Sequence, residues 1–106
     1  MGWQFSARVL NPLLDQVILD TGPLPAGPRN FQVTYAATIA APLELQWRNA
    51  ANTANKGSQI LACRAVDTKV QPPFLREIEM LDNERIRIIA VTAIAGSVSV
   101  SLDIPL

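Results

Sequence analysis

From Ser97 to Ile104, apolar residues occupy every even position and polar residues every odd one. Successive side chains of a β-strand point to opposite faces of a sheet, so this pattern predicts a strand with one face in a core. The same period of two runs through residues 29–37 and 43–48. No stretch of ten or more residues has helical periodicity, so the chain is predicted to be all-β and antiparallel.

Clusters of Pro, Gly and Asn divide the chain into short segments. Residues 21–28 include three prolines and two glycines and are predicted to form a loop, as are residues 49–57. About seven strands remain, over residues 16–20, 29–37, 43–48, 58–66, 75–80, 85–91 and 97–104. This number of strands without intervening helices predicts an antiparallel β-sandwich, jelly-roll-like, formed as a single domain by residues 15–106.

The charge balance of the chain bears on its partners. The 106 residues include nine Lys or Arg and nine Asp or Glu, and 49% of the chain is hydrophobic. A folded protein without a net field is expected, so nucleic acid is not an expected partner, while association of copies is tolerated. No apolar run reaches about 18 residues, so neither a membrane span nor a signal peptide is expected. The chain is therefore expected to be intracellular when it is made.

Residues 1–14 are unusually apolar for a chain terminus and carry a single charge, Arg8. They could form a first strand that covers their own sandwich or an arm that docks on a neighbouring chain. We predict an N-terminal arm over residues 1–14 that makes an intermolecular contact. Its predicted interface residues are Trp3, Phe5, Val9 and Leu10.

Residue types used in catalysis are scarce in this chain. It has no His and one Cys, Cys63, which lies in an apolar run and is expected to be a buried, inert thiol. The acidic cluster of Glu77, Glu79, Asp82 and Glu84 is interleaved with arginines, which is typical of a solvated polar face. We therefore expect no catalytic residue, no cofactor and no metal site.

The triplet Asp20-Thr21-Gly22 resembles the Asp-Thr-Gly motif of aspartic proteases. The resemblance implies a homodimer in which two Asp20 carboxylates share a proton and activate a water molecule. Pro23 stands where that family has Ala or Ser, and an ordinary turn explains the triplet equally well. A homodimeric aspartic protease is therefore an alternative to the non-enzymatic interpretation.

Trp47 lies beside a polar loop that contains Asn49, Asn52 and Asn55. An exposed Trp with neighbouring amides could bind a sugar ring, so a carbohydrate-binding β-sandwich module is a second alternative. Trp47 alternates in phase with Leu43, however, which places its side chain in the core. The three Asn residues are predicted to be loop contacts with a partner.

Four segments together resemble the small β-sandwich decoration, or cement, proteins of tailed bacteriophage capsids. They are residues 24–27, 46–55, 83–88 and 96–102. The resemblance implies a structural virion protein on the capsid surface that stabilises the head. Its implied partners are the major capsid protein and further copies of itself, in dimers or trimers, with arms and loops as contacts.

Overall fold

The computed structural model describes residues 3–63, 67–71 and 78–104. For residues 62, 63 and 67–71 it describes the backbone and not the side chains. The chain is all-β, as predicted: this part of it contains ten strands and no helix. The strands are β1 (Trp3–Leu10), β2 (Val17–Asp20), β3 (Gly27–Arg29), β4 (Gln32–Ala37), β5 (Ala41–Arg48), β6 (Asn55–Cys63), β7 (Asp67–Gln71), β8 (Ile78–Met80), β9 (Arg85–Ala90) and β10 (Ser97–Ile104).

Eight of these strands form two four-stranded antiparallel sheets. The first sheet has the order β1-β10-β4-β7, and the second has the order β2-β9-β5-β6. Strands β3 and β8 pair with each other in a third, two-stranded sheet. The first two sheets share one hydrophobic core, so the predicted β-sandwich is present.

More strands form than the seven or so that the sequence predicts. Strand β3 begins within the predicted loop 21–28, at Gly27, and includes Pro28, which has no N–H to donate. A proline is tolerated there because the two-stranded sheet leaves each strand an open edge. The predicted strand 29–37 is accordingly divided at Asn30 and Phe31 into β3 and β4.

Alternation along the strands builds the core. All four apolar side chains of β10 are buried, and the polar residues between them lie on the outer face. The two sheets contribute side chains such as Leu45 from β5 and Val33 from β4, both fully buried. Removing an aliphatic side chain of this size from water contributes about 1.5–3 kcal/mol, so the alternation fixes which face of each sheet is inward.

The predicted N-terminal arm over residues 1–14 is wrong, because residues 3–10 are an integral strand. Strand β1 pairs with β10 along eight consecutive residues. Its odd positions, which include Trp3, Phe5 and Val9, pack against the core, and the Arg29 guanidinium lies 4.7 Å from the Trp3 ring centroid. The segment has the same period of two as the other strands, and that period decides its place in the sandwich. Leu10, by contrast, is exposed.

Candidate assembly surface

Three connections meet at one end of the sandwich: residues 11–16, 38–40 and 91–96. Backbone hydrogen bonds join the first and third, from Asn11 N to Gly96 O (2.8 Å) and from Ile94 N to Pro12 O (2.9 Å). The second is held by a bond from Thr38 N to Ser97 O (3.0 Å). Because these bonds satisfy backbone groups that would otherwise need water, the three connections form one framework.

The loop between β1 and β2 presents two leucines at its tip. Two hydrogen bonds between Gln16 and Leu13 close the tip. The backbone N–H of Gln16 donates to Leu13 O (3.0 Å), and its side-chain Oε1 accepts from Leu13 N (2.9 Å). Asp15, with a φ of 62°, donates its N–H to Ala90 O (2.9 Å). Pro12 is fully buried beneath the tip. Leu13 and Leu14 are therefore held outward by a loop that is anchored on both sides.

Gly96 allows the connections to approach closely. A Cβ atom at this position would collide with Thr38 Oγ1, which accepts a hydrogen bond from Ser97 N (2.9 Å). The space that a side chain would need is thus occupied by a neighbouring loop. Glycine fits here because the hydroxyl of Thr38, held by its hydrogen bond from Ser97 N, fills the space that a Cβ would need.

This end carries most of the large apolar side chains that are exposed in the described part of the chain. Five of the seven lie on it, and we call these five the apolar end: Leu10 (67% exposed), Leu13 (69%), Leu14 (62%), Val17 (39%) and Ile39 (39%). The other two are Ile60, on the outer face of the second sheet, and Leu81, in the turn between β8 and β9. Clustered exposed apolar side chains mark interaction surfaces.

The sequence indicated only part of the apolar end. Leu10 is among its predicted interface residues, whereas Trp3, Phe5 and Val9 pack on their own core. The sequence shows that Leu13 and Leu14 are apolar. Their exposed position, however, depends on hydrogen bonds to a loop about 80 residues away in sequence. Ile39 gives no local signal, because an isolated apolar residue in a loop is common.

At the opposite end, the three Asn residues that are predicted to contact a partner form hydrogen bonds within the loop between β5 and β6. Asn49 Oδ1 accepts from Thr53 N (2.8 Å), while Asn52 Oδ1 and Asn55 Oδ1 accept from Arg48 Nε (2.9 Å) and Nη1 (2.8 Å). These amide oxygens fix the loop between β5 and β6. Their contact with a partner stays a prediction.

Trp47 is half-buried and packs against the core, in agreement with its phase in the alternation. Its Nε1–H donates to Glu84 Oε1 (3.1 Å), and Lys56 Nζ lies 4.6 Å from the ring centroid. A cation over the ring occupies one face of the indole. That face is therefore not an open platform on which a sugar could stack.

Glu84 was predicted to lie on a solvated acidic face, and this is wrong, because only 2% of it is exposed. Its carboxylate accepts from Leu81 N (2.7 Å), from Trp47 and from Lys56. Burial raises the pKa of Glu84, but the hydrogen bonds from Lys56, Leu81 and Trp47 outweigh burial, so its pKa lies below the ordinary value. Glu79 and Asp82 are exposed, and Glu77 lies outside the described residues.

In the triplet Asp20-Thr21-Gly22, the side chain of Asp20 closes an Asx-turn against the start of β9. Asp20 Oδ1 accepts from Gly22 N (2.8 Å), and Oδ2 pairs with Arg85 Nη1 (3.2 Å). Thr21 exchanges two hydrogen bonds with Ile86, through its backbone N–H and its Oγ1. Gly22 has a φ of 71°, which favours glycine. Each residue of the triplet therefore has a structural role, as an ordinary turn requires.

Among the described residues, no group of three or more acidic or Cys side chains is placed to hold a metal ion, and none of the described segments is a helix suited to spanning a bilayer. The side chain of Cys63 lies outside the described set, so its predicted burial stays a prediction. The sequence matches no protein-family model and no curated protein.

Proposed function

We propose that this protein is a structural virion protein of the capsid-decoration kind, which acts by binding and not by catalysis. In this proposal it oligomerises, docks on the major capsid protein and stabilises the head from the capsid surface. The observation that carries the proposal is the apolar end, where five exposed apolar side chains stand on a framework of hydrogen-bonded loops. An ordered apolar surface of this kind is typical of a docking surface.

The size of the apolar end suits multivalent docking. Full burial of a Leu, Ile or Val side chain contributes about 1.5–3 kcal/mol, and side chains that are 39% to 69% exposed gain only part of this. Association costs an estimated 4–15 kcal/mol or more in lost translational and rotational freedom. One copy would therefore bind weakly, whereas linked copies on a repeating shell reinforce one another.

The strand order supports the fold that the proposal implies. If the eight strands of the two large sheets are lettered B to I in chain order, the sheets read B-I-D-G and C-H-E-F. We propose that this arrangement is a jelly roll, an architecture that occurs in viral capsid proteins. Strand β3 then lies in the connection between C and D, and strand β8 lies in the connection between G and H.

The charge of the chain supports a protein partner. Nine basic residues balance nine acidic ones, so no net field attracts nucleic acid or an anionic membrane. The proposed partners are accordingly the major capsid protein and further copies of this chain, with no nucleic acid and no membrane.

Leu14→Ser tests the proposal against a matched control, Leu81→Ser. Both leucines are 62% exposed, but Leu81 lies in the turn between β8 and β9, away from the apolar end. The assay is co-sedimentation with empty shells assembled from the capsid protein of the same genome. We expect the free energy of unfolding of both variants to stay within about 0.5 kcal/mol of the wild-type value. Only Leu14→Ser should lose shell binding.

Two outcomes of this assay would contradict the proposal. One is wild-type protein that stays in the supernatant at every concentration of shells. The other is equal binding by Leu14→Ser and Leu81→Ser, which would show that the apolar end is not the docking surface.

A further inference from the structure

The free edge of β1 differs from the other three edges of the sandwich. Strand β1 has eight residues in unbroken register, and no described strand pairs with its second edge. Natural edge strands are usually short, bulged or charged, because an open row of N–H and C=O groups recruits another strand. In β1 the only charged residue is Arg8.

Each of the other edges has a feature that hinders pairing. Strand β2 has four residues, and its register shifts between Val17 and Leu19. Strand β7 has five residues, of which Asp67 and Lys69 are charged. In β6 the register with β5 shifts at Lys56, where a bulge carries a lysine on the edge. Strand β1 is thus a long edge without a register shift, and Arg8 is its single charge.

The hydrogen-bond phase shows which backbone groups point outward from β1. Asn11 N donates to Gly96 O, while the neighbouring Ser97 O accepts from Thr38 N on the other side. Leu10 and Ser97 are therefore a non-hydrogen-bonded pair of the β1–β10 ladder. Because bonding alternates along an unbroken ladder, the even residues of β1 direct their N–H and C=O groups to the free edge. These residues are Gln4, Ser6, Arg8 and Leu10.

We propose that a second copy of this chain pairs with this edge, β1 against β1 in antiparallel orientation, so that two four-stranded sheets become one continuous sheet across a two-fold axis. This pairing names the surface through which copies of the chain associate. It rests on the proposed function, which gives the dimer its role. Such an interface is isologous, because each copy contributes the same strand.

The sequence of β1 is complementary to itself in this orientation. Residues directly opposite each other lie on the same side of a sheet, so odd residues must face odd residues. Centring the pairing on Ser6 sets Trp3 opposite Val9 and Phe5 opposite Ala7. Centring it on Ala7 sets Phe5 opposite Val9. Both registers bring half-buried apolar side chains together.

Charge supports the same two registers. Arg8 faces Gln4 in the pairing centred on Ser6, and Ser6 in the pairing centred on Ala7, so it never faces the second Arg8. The even residues, whose backbone groups point outward, form the hydrogen-bonded pairs in both cases. A second copy therefore satisfies the open backbone groups without opposing like charges.

Ser6→Pro tests the inference. Proline removes an N–H that points to the free edge, so the ladder with β10 keeps its donors, whereas a dimer loses two hydrogen bonds. We expect a dimer of the wild type in sedimentation equilibrium and a roughly 4- to 100-fold weaker dimer for the variant, since each of the two lost bonds corresponds to about 2- to 10-fold in affinity.

A second variant covers the case in which proline unfolds the strand. Ser6→Lys sets a cation opposite a second Lys in one register and opposite Arg8 in the other, and it should also weaken the dimer. Thr34→Lys is the matched control, because Thr34 lies in the same cross-strand row, two strands away from the edge. This control should remain dimeric.

Amide hydrogen exchange identifies the edge residue by residue. In the dimer, the amides of Gln4, Ser6 and Arg8 should be protected, and dilution or Ser6→Lys should remove that protection while the amides of the odd residues stay protected. A monomeric wild type, or a dimer whose even amides exchange freely, would overturn the inference. Protection that appears only with shells would assign the edge to the capsid protein instead, which also overturns it.

The same variants separate this inference from the proposed function. Leu14→Ser should keep the dimer and its protected even amides while losing shell binding. Ser6→Pro should weaken the dimer while the apolar end of each monomer is unchanged. Shell binding therefore tests the docking surface, and dimerisation tests the self-association edge, so either one can fail without the other.

Discussion

Glu84→Gln tests how the end of the sandwich opposite the apolar end is held together. In the wild type, one carboxylate oxygen of Glu84 accepts from Leu81 N and Trp47 Nε1, and the other accepts from Lys56. Glutamine has nearly the same volume, but it offers one oxygen and one NH₂ group. If the oxygen serves Leu81 and Trp47, the NH₂ group faces the Lys56 ammonium, and donor meets donor.

The expected loss follows from the contacts that change. One charge-assisted hydrogen bond is lost and two are weakened, which corresponds to about 1.5–3 kcal/mol in the free energy of unfolding. Lys56 limits the loss, because its side chain is 33% exposed and can turn to water. For a domain of this size, the melting temperature should fall by roughly 10 °C.

The assay is urea and thermal denaturation followed by far-UV circular dichroism. Glu79→Gln is the control, since it makes the same chemical change at an exposed position of β8 and should alter stability by less than about 0.5 kcal/mol. Equal stabilities of the two variants would refute the reasoning, because the buried carboxylate would then contribute no more than an exposed one.

The pH dependence gives an independent check. The pKa of Glu84 is lower in the folded state than its ordinary value, so its contribution to stability is complete above the unfolded pKa of about 4.3. That contribution is lost as the pH falls through the lower, folded pKa. The difference in stability between the wild type and Glu84→Gln should therefore shrink in acid, below about pH 4.3, and a difference that stays constant down to complete unfolding would contradict the assignment.

Two further perturbations test the framework of the sandwich. Gly96→Ala should lower the free energy of unfolding by about 1–3 kcal/mol in a urea titration, because its Cβ meets Thr38 Oγ1, whereas an unchanged midpoint would show that the loops separate easily. Deletion of residues 1–10 should leave the chain unfolded or insoluble in circular dichroism and solubility assays, because β10 and the core lose the cover of β1. A soluble, folded deletion variant would restore the interpretation of this segment as a separate arm.

The all-β class could be predicted from the sequence because it depends on local alternation. The period of two in Ser97–Ile104 and the turn residues of 49–54 are local signals that appear in the structure, whereas residues 55–57 of the predicted loop belong to β6. Strand β1 shows that the same signal was present in Trp3–Leu10, where apolar residues at odd positions indicate a strand and not an arm. The apolar content of this segment predicts an interface, although most of it packs against the core.

The pairing of strands and the apolar end could not be predicted, because both depend on distant contacts. Strand β1 pairs with the last strand of the chain, about 90 residues away, and nothing local to either strand encodes that choice. Glu84 is buried through Lys56 and Trp47, which lie on other strands. Charged side chains are rarely buried, so its sequence context favours solvent until those partners are known.

The most direct test of the central claim is an electron cryo-microscopy map of shells decorated with this protein. We expect density for the sandwich on the outer surface of the capsid, with the apolar end, above all Leu13 and Leu14, in contact with capsid subunits. Shells without added density, or density in which Leu13 and Leu14 face solvent and another surface contacts the capsid, would contradict it.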